Sequence, residues 1–471
     1  MRIIILPVFL LTTCWLLFTG CYKDKGNYQY HDINKITTGL TDSTITVFQF
    51  DTLHINTSVL QTIPDAAGLS YEWVMYPDNG VPLTRRTLDT TRNLNALISE
   101  GPGAYVLNLF ITDKKTGVTT TKKLSIRVVS ALNEGWLVLE DGNTNADVSI
   151  ITPVDSVFHH IYSKANPKLP LPAGTHHVYV TNRRGAQNIY FLSPLSGTQV
   201  DYSTFMAFAS FKDWFFIAPA PKPQIYMTFN GGEAMINDGK PYGLSVMVPP
   251  PYKFSLAPVG NYYMAPFDMS SIFGPTLYDT ISQRFLGQDP YSFDLIDFSN
   301  AQPGDAFNMN NVGKHLQYAE GGPRSDQTYC LFRNNKNDSL FIYSFSNAGP
   351  YSTPTAVDTV STAPGMSTAG IFRMSALLPH LYYASGNKLY LYDILAGKAR
   401  LVYSFAAGTD VRCMKLLTSD YRTLAVATSE SGEGKVYYFP IAATGDFQGN
   451  TYSKVFGGFG KINDIAYKKA P

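Results

Sequence analysis

The sequence predicts an all-β protein in which a small antiparallel β-sandwich is followed by a β-propeller of seven blades. Three observations carry this expectation. Aromatic residues reach 14%, with 31 Tyr and 29 Phe, while charged residues make up only 15%. Aromatic side chains suit pleated, half-buried surfaces, so this balance is that of a β-protein. Between residues 34 and 130 apolar and polar side chains alternate, as in strands with one buried face. From residue 131 onward short aromatic strands return at a spacing of roughly 40 to 50 residues, built from strands and turns alone, which is what a propeller blade requires.

Before the sandwich lies a targeting segment. Residues 3–17 follow Arg2 as an apolar run too short to span a bilayer comfortably, and Phe18-Thr19-Gly20-Cys21 closes it. A short apolar run ending in small residues reads as a secretory signal that is removed. These four residues resemble the lipobox of bacterial lipoproteins, with Phe18 in the place of the usual Leu. The resemblance implies cleavage after Gly20 and acylation of Cys21. Each buried methylene of an acyl chain adds about 0.8 kcal/mol to membrane residence, so several chains make a lasting anchor. Residues 1–20 are thus expected to be the signal and 21–33 a lipidated tether. No second run of about 18 apolar residues follows, so no other membrane-crossing helix is expected.

In the sandwich, expected over residues 34–130, residues 44–55 and Tyr71-Glu72-Trp73-Val74-Met75-Tyr76 supply strands. The run from Gly103 to Asp113 places Tyr105, Leu107, Leu109 and Ile111 on one face. Lys114-Lys115-Thr116-Gly117 turns the chain, and Leu124, Ile126 and Val128 alternate on the return. Trp73 is the expected core plug. Tyr71-Glu72-Trp73, together with the Gly103 to Asp113 strand, resembles the PKD-type immunoglobulin-like fold, although the glycine-rich turn usual after the tryptophan strand is kept only loosely as Pro77-Asp78-Asn79-Gly80. Tyr22-Lys23-Asp24-Lys25-Gly26-Asn27-Tyr28 is similar to the mature N-terminus of PKD-like family lipoproteins of starch-utilisation-type outer-membrane uptake systems. That resemblance implies an outer-membrane, lipid-anchored setting on the cell surface or periplasmic face, beside a transporter and its binding lipoprotein. It brings no catalytic motif.

The propeller is expected over residues 131–471. Gly135-Trp136-Leu137-Val138-Leu139-Glu140 opens the series, and starts near His177, Trp214, Asn261, Tyr329, His380 and Thr423 continue it. The stretch from Asp289 to Asp326, rich in Asn, Gly and Pro, reads as a lengthened blade of the kind that often carries function. The alternating run from Ile462 to Tyr467 is placed to complete the sheet begun near Trp136, which would seal an open sheet edge.

Function classes narrow next. A net charge of +1, from 37 basic and 36 acidic residues, gives no pull toward nucleic acid. Cys330 and Cys413, the two cysteines beyond the anchor, read more readily as separate buried thiols than as a disulfide. His159-His160 and His176-His177 are adjacent pairs, but neighbours on a strand point to opposite faces and no metal-ligand spacing supports them, so no metal or other cofactor is expected. No nucleophile elbow, phosphate loop or dinucleotide fingerprint is present, and no catalytic residue is assigned.

Binding fits better. Propeller loops gather at one end of a central channel, where Tyr-rich segments make a stacking platform. Tyr242, Tyr252, Tyr291, Phe307, Tyr318 and Tyr351 stand in loop-like Gly/Pro/Asn contexts and are the candidate ligand-facing aromatics, with packing between blades as their equal alternative. The expected role is non-catalytic capture of a nutrient polymer, glycan or peptide, or of an uptake partner. The alternatives are a propeller-class glycan lyase or hydrolase with residues meeting across blades, and a structural component docked on a transporter.

Overall fold

The computed structural model describes residues 32–470 except 42, 66–67, 80–84, 131, 143, 184–185, 230–231, 248, 272–273, 325 and 349–351. The signal segment, Cys21, the tether up to residue 31 and Tyr351 therefore lie outside the described residues. No helix among the described residues is long and apolar enough to cross a membrane. The chain divides into two compact units, the second holding residues 127–471 together with 46–52 and 97–104.

The N-terminal region is a β-sandwich. Its larger sheet runs Thr44–Phe48, Thr119–Val129, Gly103–Asp113, Leu69–Pro77, Arg86–Asp89 in spatial order. Leu107, Leu109 and Ile111 are fully buried, and Trp73 sits opposite Leu109 with no exposed surface. Tyr105 is only half-buried, so the buried face of that strand begins one step later than the alternation suggests. The Trp73 indole N–H donates to the Thr91 carbonyl at 3.1 Å, which satisfies the one polar atom the plug carries inward. Gly117, at φ 73°, lets the Asp113 to Val118 turn close with its N–H on the Asp113 carbonyl.

In the second unit seven antiparallel sheets follow one another among the described residues. His177–Arg183, Pro223–Phe229, Ser270–Ser271, His315–Gly321, Ile371–Met374 and Asp410–Leu416 are the inner strands of the second to seventh sheets, touching one another from the second sheet to the fourth and from the fifth to the seventh. The first sheet differs. Its inner strand is Lys461–Lys468, the last of the chain, which pairs antiparallel with Gly135–Asp141 and touches both His177–Arg183 and Asp410–Leu416. The expected closure of the ring by the C-terminal strand is what the pairing Trp136 to Tyr467 and Val138 to Ile465 accomplishes. On its other side Gly135 lets the strand Asn145–Ile151 approach, because a Cβ there would stand 2.3 Å from the Ile151 carbonyl oxygen.

Packing between sheets holds the ring. Seven apolar clusters each join one adjacent pair, running from first and second around to seventh and first. The last contains Trp136, Val138, Ala425, Val436 and Ile465, all buried. Fully burying one large apolar side chain contributes about 1.5–3 kcal/mol. By contrast the Lys454–Asp155 ion pair across the same junction, at 2.7 Å with both side chains 46% exposed, contributes at most about 1 kcal/mol. Apolar burial therefore dominates.

Three features depart from the sequence expectation. Trp214 ends a short 3-10 helix, Phe211–Trp214, rather than starting a blade, and the third sheet begins at Pro223. The run near Asn261 holds only an isolated bridge from Met264 to Asp279. Asp289 to Asp326 is no insertion: it contains the outer strand Leu295–Ile296 of the fourth sheet, the crossover, and the inner strand His315–Gly321 of the fifth. Cys330 and Cys413 are both free thiols; Cys330 packs against the Met269 sulfur at 3.8 Å.

Candidate functional site

The inner strands bring a set of polar side chains to the ring axis. Glu320 comes from the fifth sheet, Arg373 from the sixth, Lys415 from the seventh, Asp464 from the first and His177 from the second, while Asp268 precedes the inner strand of the fourth. At one axial end these strands leave a recess of about 320 Å³ whose lining includes Thr228, Asp268, Ser270, Glu320, Arg373 and Tyr421.

Glu320 is the organising group of the recess. One carboxylate oxygen pairs with an Arg373 terminal nitrogen at 2.6 Å, and the other accepts the Met374 N–H at 2.7 Å and the Tyr318 hydroxyl. Burial, with the Glu320 charge adding to it, pushes the Tyr318 phenol well above its ordinary range, so it stays a donor. Arg373 keeps its Nε–H without a partner, and the Ser270 hydroxyl oxygen is buried without one as well. Asp268 is exposed to the recess and accepts the Ser270 N–H at 3.0 Å. The protein mass around it strips its water and raises the carboxyl above the usual range; the Ser270 contacts oppose this and the Glu320 charge reinforces it.

Along the axis Asp464, almost fully buried, faces Lys415 at 3.5 Å and the His177 ring at 3.3 Å, and accepts the Val178 N–H at 3.2 Å. Burial alone would raise this carboxyl, but Lys415 and His177 outweigh it and hold the group below the usual range. Burial and the nearby Asp464 charge push the Cys413 thiol up to about 12, which leaves it protonated and unreactive at neutral pH. Among the described residues no group of three or more His, Cys, Asp or Glu is placed to hold a metal ion. His159 and His160 lie 6.0 Å apart between ring centroids, and His176 and His177 4.8 Å apart, in different parts of the ring.

A larger hollow, about 520 Å³, lies on the sandwich and is lined by Asp32, Asn34, Gln61 and Asp113 among others. Its polar groups are engaged with one another: the Asn34 amide donates to Gln61 at 2.9 Å and to Asp113 at 3.2 Å, and Asp113 also accepts the Lys115 N–H at 2.8 Å. The axial recess is the better candidate because it gathers charged and polar side chains from several sheets.

Of the six aromatics expected at the ligand, the five that lie among the described residues are dispersed. Tyr318 reaches the axis, but from a strand rather than a loop, and its hydroxyl is committed to Glu320. Tyr242 corrects the loop expectation outright: it lies in the strand Lys240–Ser245, is 8% exposed, and packs edge-on against Phe215 at 5.2 Å. Tyr252 is half-buried against the cluster between the second and third sheets. Phe307 packs on Tyr343 at 4.8 Å. Tyr291 is 71% exposed, in a turn where Asp289 accepts its N–H at 2.8 Å.

The comparisons with known proteins agree with this architecture. Residues 21–169 match the PKD-like family. The match covers the tether and sandwich that carried the resemblance in sequence, and runs on through Gly135–Asp141, Asn145–Ile151 and Val157–Phe158 of the first ring sheet. Among solved structures, the chain is similar to a quinonprotein alcohol dehydrogenase-like protein from Bacteroides thetaiotaomicron, at 13% identity, with 91% of this chain and 97% of that chain covered and a TM-score of 0.54. At that identity the likeness is one of fold. Weaker similarities are to the dihydro-heme d1 dehydrogenase NirN, at 10% identity over 84% of this chain and 74% of that one with TM-score 0.44, and to the extracellular domain of a one-component system of Bacteroides thetaiotaomicron, at 10% identity over 92% and 70% with TM-score 0.39. No curated protein matches the chain in sequence.

Proposed function

We propose that the protein is a lipid-anchored accessory protein of the outer membrane that captures a nutrient polymer, glycan or peptide, or an uptake partner, at the axial recess of its ring, without turning it over. The observation that carries this reading is the recess itself, where the fixed Glu320–Arg373 pair shares one lining with Asp268, Ser270 and Thr228. A few charged and polar side chains converging on one concave recess are what fixes a ligand's orientation. The anchor at Cys21 and the uptake setting follow from the lipobox and tether residues.

One observation favours the rival, a propeller-class glycan lyase or hydrolase. Asp268 and Glu320 reach the same recess from neighbouring sheets, and the raised Asp268 carboxyl beside an ion-paired Glu320 is the kind of asymmetry that separates an acid from a base. A glycan and peptide array probed with the full chain from residue 21, repeated with Arg373→Lys, tests the first reading. Capture that weakens at least tenfold in the variant supports it, and capture indifferent to the variant places the ligand elsewhere. Time-dependent product seen by mass spectrometry, abolished in Asp268→Asn or Glu320→Gln, would replace it with the second.

A further inference from the structure

Between the sixth and seventh sheets lies a histidine with one nitrogen sealed away from any acceptor. His380 opens the second strand of the sixth sheet, is buried, and stands directly across from Asp393, the last residue of the strand Lys388–Asp393. Its Nε2 lies 3.6 Å from an Asp393 carboxylate oxygen, so the proton of the neutral ring belongs on that nitrogen. Nδ1 then carries a bare lone pair, and it is buried without a hydrogen-bond partner among the described residues. What covers it is Gly445: a Cβ there would stand 2.3 Å from Nδ1, and its φ of 85° is one that other residues rarely adopt.

Gly445 belongs to a turn of the seventh sheet that is fastened onto the sixth. The Gly445 carbonyl accepts the Tyr382 hydroxyl at 2.6 Å. Arg400 holds the Asp446 carboxylate through Nε at 2.7 Å and a terminal nitrogen at 3.2 Å, and donates to the Thr444 carbonyl at 3.0 Å. Within the turn the Gly445 N–H donates to the Ala442 carbonyl and the Ala442 N–H to the Asp446 carbonyl. Phe447 stacks on Tyr382, with 5.9 Å between ring centroids.

We propose that this turn is an acid-released clasp between the sixth and seventh sheets, with His380 as its sensor. A second proton on the ring goes to Nδ1, where it meets the Gly445 methylene instead of an acceptor, and a buried donor on a charged ring left unbonded is strongly unfavourable. Moving the turn away admits water to that nitrogen, so protonation and opening favour each other. The charged groups facing the ring are Asp393 on the neighbouring strand, Arg400 on the outer strand and Asp446 on the turn. Burial, helped by Arg400, outweighs the two carboxylates and holds the imidazole below its ordinary range. The closed clasp therefore binds fewer protons than the open one, and its stability is lost as pH falls below 6.5. Asp446 stays ionised in this window, because Arg400 holds its carboxyl below the usual range.

Hydrogen exchange of the full chain from residue 21, read by mass spectrometry on peptides covering residues 441–447 at about pH 7.5 and about pH 5 and corrected for the intrinsic rate, tests this. In the parent, exchange of this turn should quicken by about threefold or more on acidification, while peptides from the strand Thr423–Glu430 stay protected. His380→Gln, neutral at both pH values, should abolish the difference. Tyr382→Phe removes the bond to the Gly445 carbonyl but keeps the histidine, so its turn should exchange faster than the parent's at the higher pH and still respond to acid. Thermal melts at the higher pH establish that each variant is folded. No acceleration in the parent overturns the inference, whatever the variants do. So does an acceleration that persists in folded His380→Gln, or one that the whole seventh sheet shares.

Discussion

Trp136 and Tyr467 meet edge to face, with 5.3 Å between ring centroids and 70° between planes, across the pairing that joins the first strand of the ring to the last strand of the chain. The Tyr467 hydroxyl then donates to Glu134 at 2.6 Å. Two residues from opposite ends of the second unit thereby share one apolar cluster with the seventh sheet.

Ending the chain before Ile462 removes this junction. The Gly135–Asp141 strand would lose its inner partner and present an open edge beside exposed Val138 and Ile151 surface, so the shortened protein should aggregate. Soluble yield and light scattering on heating provide the check; a truncated chain as soluble and heat-resistant as the full one contradicts the assignment.

Lys468 gives a pH signature. Its ammonium, without exposed surface, donates to the carbonyls of Leu132 at 2.7 Å and Asn133 at 2.9 Å and lies 4.0 Å from the centre of the Tyr202 ring. Burial nevertheless pulls its pKa from 10.5 down to about 7. A lysine lowered in the fold binds fewer protons there than in the unfolded chain, so its contribution to stability improves as pH rises from about 7 toward 10 and is flat below 7. The melting temperature of the parent, taken relative to Lys468→Met, should climb across that interval. A constant difference would show that the carbonyls and the Tyr202 face hold the proton against burial.

The Glu320–Arg373 pair should be worth more than a surface ion pair. Their side chains are 20% and 24% exposed, so Glu320→Gln, which strands the guanidinium, should cost about 1–3 kcal/mol. A double-mutant cycle with Arg373→Gln, read by denaturant unfolding, should return a coupling above about 1 kcal/mol; a value near zero would mark the pair as solvent-screened.

The dispersed aromatics should separate by burial. Tyr291→Ala should change stability by less than about 0.5 kcal/mol, as expected for a surface position. Phe307→Ala, packed on Tyr343 and Phe285, should cost about 1–3 kcal/mol. Tyr318→Phe should fold normally and alter ligand capture, because it removes only the hydroxyl on Glu320. Unfolding curves and capture on the glycan and peptide array distinguish the three.

Cys21→Ala should release the protein from membranes and abolish incorporation of labelled fatty acid. Membrane retention unchanged by the substitution, with no lipid in the parent, would refute the lipidated tether.

The second strands of the ring sheets were legible because they are buried on both faces. Tyr329-Cys330-Leu331-Phe332, His380-Leu381-Tyr382-Tyr383-Ala384 and Thr423-Leu424-Ala425-Val426-Ala427-Thr428 all lie in interior strands. The blade starts placed on them were each one strand late. The inner strands His315–Gly321, Ile371–Met374 and Asp410–Leu416 escaped notice since they carry Glu320, Arg373 and Lys415, which break the apolar run. The candidate site was hidden for the same reason: its charged residues are scattered through sequence and converge only when the sheets stand around an axis. Glu320 between Tyr318 and a glycine pair is the one local hint. Tyr242 misled because Pro241 and Gly243 flank it, yet both lie within a paired strand.

The inner strand of the first sheet comes from far along the sequence, with Tyr467 bonded to a residue 333 positions earlier. The ring therefore has no finished state until residues 461–468 reach the strand Gly135–Asp141. Pairings of such long sequence separation form late and slowly. Until that pairing forms, the first sheet lacks its inner strand, so the seam between Gly135–Asp141 and Lys461–Lys468 is the step on which the whole ring waits.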